Sequence, residues 1–71
     1  MSAPTTPHLC RERAAIAGRA AREATLDNVR ERHLVAERTW LEMAERGERV
    51  ARMRDDLIAR KAAERALAES V

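Results

Sequence analysis

Aromatic side chains are almost missing from this chain: it has no Phe and no Tyr, and Trp40 is its only large aromatic residue. Without the side chains that fill most cores, 71 residues are too few for a well-buried globular monomer. Glycine and proline occur only twice each, and β-branched residues are sparse, which disfavours turn-rich β architectures. The lone Cys10 excludes an intramolecular disulfide. No apolar run is long enough to cross a bilayer and no secretory leader pattern is present, so a cytoplasmic protein is expected with no membrane partner. An interfacial helix is disfavoured too, because the stripe described below is rich in alanine and its polar face is charge-neutral.

Catalytic and cofactor signatures are also wanting. Ser2 and Ser70 are both terminal, there is no Gly-rich phosphate loop, and every carboxylate has an arginine nearby instead of an apolar pocket to separate two pKa values. His8, Cys10 and His33 are the only soft metal-ligand candidates, and two residues of spacing point His8 and Cys10 to different sides of a helix. A non-enzymatic protein without metal or cofactor is therefore expected.

What the chain does have is alanine and charge. Fifteen alanines make up much of its 45% hydrophobic content and add helix propensity more than burial. Fourteen basic and twelve acidic residues give a net charge of +2, and the two signs are interleaved along the chain. The pI near 9.5 reflects arginine in place of lysine and not a polarised surface.

In chain order, residues 1–6 read as a disordered lead-in. Pro7 suits the first position of a helix, and Thr6 before it suits the N-cap. A helix is expected over about 7–24, with a seam of Cys10, Ala14, Ala17, Ala21 and Ala24, flanked by Leu9, Ile16 and Ala20. Its small residues suit close approach to a larger neighbour, and Gly18 reads as a mild weakness off the seam. Thr25-Leu26-Asp27-Asn28 is the best candidate for a turn, with Asn28 and Glu31 as a capping-box-like pair and Leu26 as a hydrophobic staple. The competing expectation is one uninterrupted helix, since neither Gly nor Pro enforces a stop.

From 29 to about 69 nothing stops a second helix. Its apolar stripe runs Leu26, Val29, His33, Ala36, Trp40, Met43, Gly47, Val50, and the acid-first pairs Glu42–Arg46, Glu45–Arg49, Glu48–Arg52 and Asp56–Arg60 support its solvent face. The two helices differ in length, at ~27 Å and ~60 Å. A short helix folded back antiparallel covers the long one only to about 45–47, leaving Val50, Met53, Leu57, Ile58, Ala62 and Leu67 uncovered. The expected fold is all-α: one hairpin domain over 7–71, made of a short Ala-rich helix plus a long helix. It is expected to dimerise into a four-helix or coiled-coil-like bundle, with Arg54 and Lys61 interrupting any strict parallel zipper.

The expected function follows as a structural or regulatory protein–protein interaction module, a homo-oligomer with a further protein partner. Its interface candidates are Val29, His33, Ala36, Trp40, Met43, Gly47, Val50, Leu57, Ile58 and Leu67. The alternative is a small nucleic-acid-associated protein using Arg11, Arg13, Arg19, Arg22, Arg30 and Arg32.

Overall fold

A computed structural model describes residues 5–70. Two helices account for nearly all of them: α1, Pro7–Glu23, and α2, Asp27–Glu69. They pack side by side as an antiparallel hairpin about 68 Å long and 13 Å through its thinnest dimension. The expected disordered lead-in falls largely on residues 1–4, outside the described residues; Thr6 is already the N-cap of α1.

The start of α1 follows from two adjacent side chains. Thr6 Oγ1 accepts the Leu9 N–H at 3.1 Å, and its carbonyl accepts the Cys10 N–H at 3.0 Å. Pro7 lacks the N–H that would otherwise go unpaired in the first turn. The helix then buries Cys10, Ala14, Ala17, Gly18 and Ala21, the expected small-residue seam with Gly18 added and without Ala24, which is the half-buried C-cap beyond the last turn. Gly18 belongs to the packed face. A Cβ there would meet the far end of the Glu37 side chain, so the bare α-carbon makes room for that carboxylate and not for the backbone of α2. Ile16, expected to flank the seam, is 54% exposed and faces solvent.

The chain breaks, as expected, between the two helices, but the turn lies earlier than 25–28. Ala24 and Leu26 take extended backbone with φ of −69° and −97°, and α2 begins at Asp27. No glycine or positive φ is involved among the described residues. Arg30 holds the turn instead: its guanidinium donates to the Ala24 carbonyl at 2.9 Å and lies 3.5 Å from Asp27 Oδ1. An end-of-helix carbonyl that lacks a partner is thus satisfied by a side chain from the next helix. The capping-box and staple expectations are corrected. Asn28 is already inside α2, the N-cap position is Leu26 with no side-chain bond, and Leu26 is 62% exposed. Asp27 in the first turn meets the positive end of the helix dipole without capping it.

Along α2 the surface pairs differ from expectation as well. Only Asp56–Arg60 closes among the four acid-first pairs. Glu48 reaches across to Arg11 and accepts from its Nε at 2.7 Å and its Nη2 at 2.6 Å. A two-pronged guanidinium–carboxylate bond between helices outcompetes a single contact along one exposed helix.

A candidate interaction surface on the uncovered half of α2

The closed half of the hairpin defines where the open half begins. Ala44 is 0% exposed and is the most deeply enclosed residue of α2. Around it Val29, His33, Ala36, Glu37, Trp40, Leu41, Gly47, Glu48 and Ala51 are half-buried. The face turned to α1 therefore runs through 33, 37, 40, 44, 47/48 and 51. Expected stripe and observed face agree at Val29, His33, Ala36, Trp40 and Gly47 and diverge at Met43 and Val50. Met43 is 37% and Val50 57% exposed, because the helix presents Ala44 and Ala51 instead. Steps of three and four are both helical, so the spacing alone leaves this rotation open. The size of the partner decides it: the small seam of α1 fits closest against another alanine.

Pro7 lies at the boundary. A Cβ on Gly47 would stand 2.8 Å from Pro7 Cγ, so α1 begins directly on Gly47. The Arg11–Glu48 pair fastens the same end from one flank. Its bonds raise the Arg11 pKa, and the same hydrogen bonds with the positive charge of Arg11 hold the Glu48 carboxyl below the usual carboxylate range. Beyond Pro7 a groove of about 440 Å³ opens, floored by Cys10, Gly47 and Ala51 and flanked by Met43, Val50, Arg46 and Arg54.

Past Ala51 every described residue of α2 is exposed. The large apolar side chains there are Met53 at 71%, Leu57 at 50%, Ile58 at 59% and Leu67 at 68%. They do not form one stripe. At about 100° per residue, Leu57 continues the flank of Met43 and Val50, Ile58 continues the face turned to α1, and Leu67 stands on the far side. Of the sequence-derived interface residues, Val29, His33, Ala36, Trp40 and Gly47 are thus engaged within the hairpin, Met43 stands exposed at its edge, and Val50, Leu57, Ile58 and Leu67 lie open to solvent.

The arginines are dispersed. Arg11 is tied to Glu48 and Arg30 to the turn. Arg22 and Arg30 line one shallow groove with Glu37, while Arg13 leaves α1 on the opposite flank. Arg19 and Arg32 are exposed. His8 is exposed and lies 2.9 Å from Glu12, Cys10 is buried, and His33 is half-buried. No three His, Cys, Asp or Glu side chains converge as metal ligands among the described residues. No helix of the described residues is long and apolar enough to cross a membrane. No protein-family model, curated protein or solved structure matches the chain.

Proposed function

We propose that this protein is a non-enzymatic helical docking module. Its closed half fixes the orientation of α2, and its open half pairs with another helix, first of all that of a second copy. The observation that carries this reading is the end of α1 on Gly47, with a long rod of α2 continuing past it bearing Val50, Leu57 and Ile58 at 50% exposure or more. Apolar side chains so presented are stabilised by cover, and a helix of mixed charge and small residues is covered best by another helix. The described residues form a narrow, extended hairpin, a shape that favours docking over a reaction shielded from water.

Sedimentation over a wide concentration range tests the reading. The expected result is a mass that rises from the 8.0 kDa of a single chain toward twice that value, and a weaker rise for the variant Ile58→Asp, whose side chain prolongs the face that α1 covers. A single chain at every concentration would remove docking to a second copy. The same samples titrated with DNA and RNA are expected to show no steeply salt-dependent binding, the signature the arginine-based alternative requires.

A further inference from the structure

Resting on the docking reading above, we propose that the open face of α2 is covered by the same segment of a second copy. The two segments run antiparallel, with the level of Arg60 on the twofold axis. The face itself is set by the hairpin. Steps of four and three from Ala44 and Ala51, the residues nearest α1, reach Asp55, Ile58, Ala62 and Arg65. These positions prolong the surface that α1 covers, and they begin where α1 stops.

Length supports this occupant. From residue 52 to the end of α2 the helix runs ~27 Å, and α1 itself runs ~26 Å, at about 1.5 Å per residue. A partner segment of the same kind, entering in line with α1 and in the same direction, fills the face from the Pro7 end of α1 to the end of α2. Small residues at 51, 59, 62 and 66 allow the two axes to approach toward the short end of the ~8–10 Å range.

Charge fixes direction and register. In the antiparallel arrangement centred on Arg60, Ile58 stands against the second copy's Ala62 and Asp55 against its Arg65, and the twofold axis repeats both pairs. Parallel pairing would instead set Asp55 against Asp55 and Arg65 against Arg65. Sliding the antiparallel pair by one heptad either sets Asp55 against Ile58 or carries it past the end of the partner helix. Asp55 and Arg65 are both without an ionic partner among the described residues of their own chain, whereas neighbouring Asp56 is already held by Arg60. Lys61 falls at one flank beside its own copy, where its long stem turns to solvent.

The test uses the full chain and charge exchange. Asp55→Arg and Arg65→Asp each set like charges together across the interface and are expected to weaken dimerisation about tenfold or more. The double variant restores opposite charges and is expected to recover most of the loss. Circular dichroism at a dilution where the unaltered protein is also a single chain checks that each variant has the same helix content as that chain, since both positions lie beyond the reach of α1. A nitroxide at position 70 of the otherwise unaltered chain provides an independent readout. The antiparallel register separates the two labels by about 30 Å, whereas parallel pairing brings them within about 10 Å. A dimer indifferent to the single changes, a double variant no better than the singles, or adjacent labels would each overturn the register while leaving self-docking intact. A monomer at all concentrations would overturn both and assign the face to a different protein.

Discussion

Gly18 and Gly47 sit on opposite helices of the same interface, yet they differ in what a methyl group would meet. At Gly18 the nearest atoms belong to the carboxylate of Glu37 and the guanidinium of Arg22, both ends of flexible side chains that swing into solvent. Gly18→Ala is therefore expected to stabilise the protein by up to ~1 kcal/mol through helix propensity. At Gly47 the neighbour is the Pro7 ring, which is fixed at the first turn of α1. There the same propensity gain is offset by displacement of the helix start, and Gly47→Ala is expected to be neutral or destabilising. Thermal midpoints of the two variants, measured side by side, check the contrast; equal gains would show that Pro7 does not rest on α2. Ala44 and Trp40 supply a second comparison. Ala44 is fully enclosed, so Ala44→Leu overpacks the contact and is expected to cost about 1–3 kcal/mol. Trp40 is only half-buried, and Trp40→Ala is expected to cost about 2 kcal/mol, below the range for a fully buried ring. Chemical denaturation measures both. The sequence draws the eye to Trp40, while the closest contact belongs to an alanine, because a helix seam built from small residues closes on small residues.

At the scale of the elements, the beginning of α1 was legible to the residue. Thr6 and Pro7 act locally, and local chemistry can be read from adjacent letters. The beginning of α2 was not, since its turn is held by Arg30, whose partner carbonyl belongs to Ala24 six positions earlier. A guanidinium closing a helix end leaves no spacing signature that separates it from the other arginines. The same holds for Glu48, which the sequence pairs with Arg52 and the fold pairs with Arg11. That bond yields a pH prediction. The folded-state pKa of Glu48 lies below its ordinary value of about 4.5, so the stabilisation is present above that value and fades as pH falls through the lower, folded one. Glu48→Gln is expected to melt below the wild type at neutral pH, with the difference closing on acidification below the ordinary carboxylate range. A midpoint difference that persists unchanged into strong acid would show that the carboxylate charge is not what fastens the end of α1.

For the whole molecule, the inequality of the two helices decides the architecture, and it follows from where the sequence permits a break. One short helix bounded by Thr6 and the 24–26 turn faces one that nothing interrupts for 43 residues, so an intramolecular partner covers the first part of α2 and no more. The rotation of the uncovered part was not legible, because alanines on several sides of α2 leave its apolar moment weak. The position of α1 selects among those sides. Stability should then depend on how many chains are present. If the open half is covered by a second copy, folding of that segment is linked to association and the thermal midpoint rises with protein concentration. Ile58 lies on the prolonged face, clear of α1, so Ile58→Asp should remove that dependence while leaving the melting of the closed half, followed through Trp40 fluorescence, near its low-concentration value. Calorimetry and fluorescence over the same dilution series distinguish the two halves. A concentration-independent midpoint in the wild type, matching that of Ile58→Asp, would mean that α2 holds its length unaided through helix propensity and side-chain pairs such as Asp56–Arg60.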